Sequence, residues 1–206
     1  MSLPSWNDTL TKHAILDFIA ATSAEDSPDY IQPADRIAAF DNDGTLWVEQ
    51  PAPAQTGFLI GKLVEQVKAN PALAEEDPYK GIVTQDPDFM RALAQQVPEA
   101  IIAFLSGIGK AWEGTTPEEY DAEVQAFLAA SMHPRYDCPW TDLVYLPMLE
   151  MFDLLWENEW RVFVCSGGGP DFMRVFTEYA LGIYRENING SATEFAYEDG
   201  QHLRQN

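Results

Sequence analysis

Basic residues are scarce in this sequence. Its 206 residues include 12 Lys and Arg against 33 Asp and Glu, a formal net charge of −21. Nucleic acid and anionic membrane attract the opposite balance, so neither is an expected partner. The plain reading of the charge is a strongly solvated acidic surface, such as an adaptation to salt. Cysteine is nearly absent, and Cys138 and Cys165 do not make a disulfide framework. Cys165 lies within an apolar run and is expected to be a buried small hydrophobe. No apolar run reaches the ~18 residues of a membrane span. The N-terminal Met1-Ser2-Leu3-Pro4-Ser5-Trp6 lacks the basic region and apolar core of a signal peptide. The cytoplasm is therefore the compartment expected from this chain. The periplasm is the alternative if Met-Ser-Leu replaces a native leader. Repeats and low-complexity tracts are absent as well.

What is present centres on Arg36-Ile37-Ala38-Ala39-Phe40-Asp41-Asn42-Asp43-Gly44-Thr45-Leu46-Trp47. Ile37 to Phe40 reads as a short buried parallel strand. It stops on two carboxylates and a glycine that permits a sharp turn. In open α/β sheets, sites lie outside the carboxyl ends of the strands. Asp41 and Asp43 are two apart, so in an extended chain they project to the same side. Such a pair suits a hard divalent cation such as Mg²⁺. It equally suits a nucleophile with an acid/base partner. The bland alternative is an Asx-rich turn that closes a strand. Trp47 either lines this site or packs in the core, with packing the leading reading. Glu49 is a candidate for gripping a substrate amine or hydroxyl, although a solvated loop carboxylate is the simpler reading.

Around this stretch the patterning changes twice. Residues 8–22 read as an amphipathic helix with Ile15, Phe18 and Ile19 on one face, capped by Asn7 or Asp8. After Pro51-Ala52-Pro53, helical patterns crowd together. Leu59, Ile60, Leu63, Val64 and Val67 form one stripe, stopped at Asn70-Pro71. Asp86-Pro87 opens a helix with Phe89, Met90, Leu93 and Val97 inward. Pro98 starts an apolar piece that Ser106-Gly107 is expected to end. Thr116-Pro117-Glu118-Glu119 is a capping box ahead of Tyr120, Val124, Phe127 and Leu128. No strand-like alternation occurs between residues 51 and 139. From residue 140, α/β patterning resumes. A helix near Pro147 carries Met148, Met151, Phe152 and Leu155. Arg161 to Cys165 is a second strand, and Ser166-Gly167-Gly168-Gly169-Pro170 leads into a helix from Asp171 to Leu181. Glu186 to Asn189 reads as a third short strand. Thr193 to Tyr197 with Glu198-Asp199-Gly200 reads as a hairpin arm and its turn. The expected organisation is a core of residues 1–50 and 140–206, with a separate all-helical unit over 51–139.

Asp41-Asn42-Asp43-Gly44-Thr45 resembles the first motif, D-x-D-G-T, of the haloacid dehalogenase (HAD) superfamily, most of whose members are phosphatases. Val162-Phe163-Val164-Cys165-Ser166-Gly167-Gly168 resembles its second motif, in the form of the phosphoserine-phosphatase-like branch. The resemblance implies an α/β fold: a Rossmann-like core with a parallel sheet, and an inserted helical cap that closes over a small phosphorylated substrate. It implies Asp41 as nucleophile and Asp43 as general acid, then base. It implies Mg²⁺ on the Asp41 carboxylate and the Asp43 carbonyl. Phosphate would be held by Ser166, the N–H groups of Gly167 and Gly168, the following helix, and Thr45. A flexible strand-to-helix turn is the alternative for the Ser-Gly-Gly-Gly-Pro segment. Dehalogenases of the superfamily lack a carboxylate at the second Asp position, so Asp43 disfavours that activity.

The chain departs from the pattern after Ser166. It has no Lys for the third motif and no acidic pair for the fourth. It thus resembles the first two-thirds of such a protein, either shortened or with its later segment lost. Lys62, Lys110, Arg174 or a partner subunit would have to supply the missing charge. Two readings follow. One is a Mg²⁺-dependent phosphatase, impaired in this form. The other is a non-catalytic domain that binds phosphate or metal, or serves association. Without later strands, Ile37 to Phe40 is expected to be a sheet edge or to pair with another chain, making a homo-oligomer an expected state.

Overall fold

Thr9, not Asn7 or Asp8, caps the first helix. In the computed structural model, which describes residues 3–205, its hydroxyl accepts the Lys12 N–H at 3.3 Å and opens α1 (Leu10–Ser23). Met1 and Ser2 of the N-terminal Met-Ser-Leu, and Asn206, lie outside the described residues. The chain falls into two compact units. One comprises Met1–Gln50 and Leu128–Ala192; the other comprises Pro51–Phe127 and Thr193–Asn206.

In the first unit, α1 buries Ile19 and Thr22, and the Phe18 ring meets Trp160 at 5.7 Å. Arg36 then introduces β1 (Ile37–Phe40). Its side chain is buried. Nε donates to the Ile31 carbonyl, and Nη1 donates to the Asn158 carbonyl and the Glu159 carboxylate. This clamp fixes where the strand begins.

The second unit starts with α2 (Ala54–Ala69), whose Leu63 is fully buried with Tyr79 and Ile82 of α3 (Tyr79–Val83). Asp86 caps α4 (Pro87–Ala94) by accepting the Asp88 and Phe89 N–H groups at 2.9 and 3.0 Å. These two bonds hold its carboxyl below the ordinary aspartate pKa. Phe89 and Leu93 pack inward, whereas Met90 points outward, 37% exposed. Helix α5 (Pro98–Trp112) does not stop at Ser106-Gly107. Gly107 is buried against Pro78, whose Cγ would lie 2.6 Å from an added Cβ. The glycine is therefore a contact point rather than a terminator. The capping box forms as read and opens α6 (Pro117–Ala130). Thr116 N–H donates to Glu119, and Glu119 N–H donates to the Thr116 hydroxyl.

Back in the first unit, His133 is fully buried. Its Nδ1 accepts the Arg135 and Tyr136 N–H groups, so Nε2 carries the hydrogen donated to the Gln50 carbonyl at 2.7 Å. That bond anchors residues 131–139 beside Gln50, so this segment sits in the first unit and not with the helices. Helix α7 (Leu146–Glu157) buries Met151, Phe152, Leu154 and Leu155. Strand β2 (Arg161–Cys165) then lies parallel to β1, with Ile37 opposite Arg161 and Phe40 opposite Val164. The expected single helix after Pro170 is two short ones, α8 (Pro170–Arg174) and α9 (Thr177–Leu181), parted at the buried Phe176. Strand β3 (Ile188–Asn189) pairs parallel with β2, giving the order β1-β2-β3.

Strand β1 is thus an edge among the described residues, and it is not the buried strand its apolar run promised. Its residues alternate between exposed and half-buried, with Ile37 51% exposed. Val162 and Val164 of the central β2 are the buried ones. The hairpin is present as β4 (Phe195–Glu198) and β5 (Gln201–Arg204), joined at Asp199-Gly200. It belongs to the second unit, since Arg204 N–H donates to the Thr115 carbonyl and Gly114 N–H to the Arg204 carbonyl, both at 2.9 Å. That unit is therefore helical with a terminal hairpin rather than all helical.

The whole is a mixed α/β fold. A three-stranded parallel sheet takes a helical insertion between β1 and β2, a Rossmann-like arrangement. Among the described residues no single helix is long and apolar enough to cross a membrane.

Candidate functional site

Strand β1 delivers Asp41 one residue beyond its last paired position, Phe40, and the chain turns at once. Gly44 adopts a left-handed φ of +71°. Its N–H donates to the Trp47 carbonyl, while Thr45 and Leu46 N–H groups both donate to the Asn42 carbonyl. The returning chain is anchored by Val48 N–H on the Leu143 carbonyl and Tyr145 N–H on the Leu46 carbonyl. These bonds make a compact turn that holds three carboxylates, those of Asp41, Asp43 and Glu49.

The three differ in environment. Asp41 is exposed, and its Oδ1 accepts the Asn42 N–H at 2.8 Å. Asp43 is half-buried. Its Oδ1 accepts the Trp47 indole N–H at 2.8 Å and the Asn42 amide at 3.4 Å. Withdrawal from water raises the Asp43 pKa above the ordinary aspartate value. The charges of Asp41 and Glu49 raise it further, against the opposing pull of the Trp47 and Asn42 bonds. Glu49 is not a loop carboxylate standing in solvent: it is half-buried over Gly44, where an added Cβ would lie 2.8 Å from its carboxyl carbon. Both the φ of Gly44 and this close approach demand glycine.

Trp47 does pack, as its first reading held. It is 1% exposed and stacks on Phe176 with ring centroids 4.3 Å apart. Its bond to Asp43 was not foreseen from the sequence. A tryptophan four residues after an aspartate in a tight turn is the signal that could have raised it.

On the neighbouring strand, β2 ends at Cys165 and Ser166 follows. Cys165 is exposed, contrary to the buried hydrophobe expected, because it sits at the strand end where the sheet gives out. Ser166 N–H donates to the Asn189 carbonyl, and its Oγ accepts the Gly168 N–H at 3.2 Å. The Gly168 N–H is therefore engaged within the loop, and the Ser166 hydroxyl keeps its own hydrogen to donate. Gly167 faces open space. Ser191 braces the loop, its N–H donating to the Gly168 carbonyl and its hydroxyl to the Gly167 carbonyl. Gly190 allows that approach, since a Cβ there would lie 2.3 Å from the Gly168 oxygen. The helix beyond, α8, has five residues and so carries little dipole.

The candidate cations are differently disposed. Lys62 pairs with Glu123 at 2.7 Å. Arg174 bonds Asp171 and the carbonyls of Arg185 and Ile188. Lys110 borders a cavity of about 260 Å³ in the second unit, beside Tyr79 and Pro78. Among the described residues, no group of three His, Cys, Asp or Glu side chains is gathered to hold a metal. Carboxylate and carbonyl oxygens suit Mg²⁺ in kind. In number they fit an ion that keeps most of its water and shares a substrate's phosphate.

No protein-family model matches the chain, and no curated protein does. Solved structures do. A phosphoserine phosphohydrolase-like protein from Francisella tularensis subsp. tularensis SCHU S4 is similar at 20% identity and a TM-score of 0.41. That match covers 82% of this chain and 63% of that one. A conserved, functionally unknown protein from Anaerococcus prevotii DSM 20548 is similar at 15% identity and a TM-score of 0.52. It covers 94% of this chain and 70% of that one. The chain therefore spans 63% and 70% of the lengths of these two proteins, and the likeness to the second is one of fold.

Proposed function

We propose that this chain is a hydrolase of small phosphomonoesters that works through Asp41 and Asp43. The observation that carries the reading is the contrast between the two carboxyls at the end of β1. Asp41 stands exposed, as a nucleophile must. Asp43 is half-withdrawn from water with its pKa raised, the direction that suits a general acid. An Asx turn that merely closes a strand gives no reason for that difference.

In this mechanism a carboxylate oxygen of Asp41 attacks phosphorus while the ester P–O bond breaks. The electron pair of that bond leaves on the alcohol oxygen, which takes the proton of Asp43. Water then attacks the aspartyl-phosphate, gives its proton to Asp43 and releases inorganic phosphate, restoring both carboxyls. The Ser166 hydroxyl and the Gly167 N–H would donate to phosphate oxygens, with Thr45 of the turn after β1 as a further donor. The Asp41 carboxylate and the Asp43 carbonyl would hold Mg²⁺, which offsets the repulsion between an anionic nucleophile and an anionic phosphate. The helical unit would serve as the cap. A dehalogenase is disfavoured, since that chemistry makes no use of an acid at Asp43.

The test is a panel of phosphate monoesters, with and without Mg²⁺, on wild type and Asp41→Asn. Loss of turnover in the variant supports the reading, and equal activity removes Asp41 as nucleophile.

A second reading, a non-catalytic domain that binds phosphate or metal weakly or serves association, is favoured by one observation. Lys62 and Arg174 are both bound to other groups, so neither stands ready to neutralise a phosphate. On that reading even the wild type falls well short of the ~1 s⁻¹ common among enzymes.

A further inference from the structure

We propose that Trp47 is a positioning residue that fixes which oxygen of Asp43 exchanges a proton with the substrate. The inference rests on the phosphatase reading and deepens it. The Trp47 indole N–H and the Asn42 amide both donate to Asp43 Oδ1. An oxygen that accepts two N–H groups is a poor place for the acid's own hydrogen. Oδ2 has no hydrogen-bond partner among the described residues and is the oxygen left open to the substrate. One oxygen is anchored and the other is free to act.

The anchor is itself anchored. Trp47 is enclosed, with its ring face on Phe176 at 4.3 Å and 15° between planes and a second contact to Trp140 at 6.2 Å. Phe176 sits at the break between α8 and α9, in the segment that leaves the Ser166 loop. The indole thus ties the Asp43 turn to the segment that follows the other strand end. A reading of pure packing leaves the indole bond unexplained. Trp140 and Trp160 are also buried, and among the described residues their indole N–H groups have no partner, so this fold does not oblige every enclosed indole to find one. Trp47 donates to the one carboxyl assigned to acid catalysis.

In the step concerned, Asp43 Oδ2 passes its proton to the ester oxygen as the P–O bond breaks and the electron pair moves to that oxygen. A good leaving group departs without this help, and a simple alkoxide does not. Trp47→Phe keeps an aromatic ring to face Phe176 and removes the donor together with part of the indole's volume. The prediction is a selective loss. For an alkyl phosphate, kcat falls by about 10- to 100-fold with KM unchanged, a fraction of the roughly 100- to 10,000-fold attributed to a positioned general acid, because the acid stays and only its positioning is lost. For p-nitrophenyl phosphate, kcat changes by less than about 3-fold on the same grounds.

A second measurement stands apart from turnover and from the folding of that variant. In the 206-residue chain, the Trp47 indole ¹H–¹⁵N resonance shifts on Asp43→Asn. Equal losses on both esters, no loss on either, or an unmoved indole resonance each overturn the role of Trp47 and leave the phosphatase reading standing. If wild type splits neither ester while the indole resonance shifts, it is the phosphatase reading that fails.

Discussion

The guanidinium of Arg204 lies 3.8 Å from the centroid of the Tyr120 ring. The same group faces Phe195 at 5.3 Å and donates through Nη1 to the Thr193 hydroxyl. Arg204 is 5% exposed, so ring faces and a hydroxyl stand beside its charge where water would otherwise be. Tyr120 belongs in turn to a cluster with Phe58 and Trp112, whose indole N–H donates to Glu123. A residue near the end of the sequence thereby completes the core of a unit that begins at Pro51.

Arg204→Met should therefore loosen the second unit. The substitution keeps an apolar stem but removes the cation, at a cost of about 2 kcal/mol for a desolvated cation–π contact. Hydrogen exchange is the suitable measurement, because the Gly114 and Arg204 amides bond across this junction. Their protection should fall by about 30-fold, the equivalent of that energy. Unchanged protection would show that backbone pairing alone holds the hairpin.

Stability should depend on pH through Asp43. Its pKa in the fold is raised above the ordinary 3.8, first by burial and then by Asp41 and Glu49. The folded state therefore holds this proton more tightly than the unfolded state does. Linkage then makes folding less favourable as pH rises from the ordinary value to the raised one, with the full penalty above it. Asp43→Asn, which cannot ionise, should raise Tm at neutral pH and lose that advantage below about pH 4. An Asn variant that melts below wild type at neutral pH would mean that the carboxylate's bonds to Trp47 and Asn42 outweigh its desolvation.

What the sequence conveyed is what neighbouring residues decide. The Thr116–Glu119 box, the Asp86 cap, the Asp199-Gly200 turn and the strand before Asp41 depend on residues a few positions apart, and all are in place. Distant partners were not legible. Gly107 reads as a helix stop until Pro78 is seen against it. Cys165 reads as core until β2 is seen to end there. The run from Asp171 to Leu181 reads as one helix until Phe176 is drawn into the stack with Trp47. The hairpin reads as part of the sheet unit until Arg204 reaches Tyr120. That Asp41 and Ser166 each follow the end of a strand was legible in the apolar runs before them. The difference between the two carboxyls was not, because burial and the Trp47 bond create it.

The last prediction concerns the free side of β1. Among the described residues the strand pairs only with β2, so the outer N–H and C=O groups of Ile37 to Phe40 form an open edge beside a half-exposed Ile37. Such an edge templates pairing with another chain. The acidic surface opposes this, because two copies carrying a net charge of −21 each repel strongly at low salt. Screening shortens the reach of that repulsion from about 30 Å at 0.01 M salt to about 8 Å at physiological strength. Self-association should therefore increase with salt, the reverse of what a dimer held by ion pairs would do. Sedimentation velocity across a salt series reads it directly. Ile37→Lys places a charge on the edge without disturbing the β2 ladder, and it should keep the chain monomeric throughout. A wild type that stays monomeric at high salt, or an Ile37→Lys variant that associates as readily, would show that β1 is not the contact and that the edge is protected by its shortness alone.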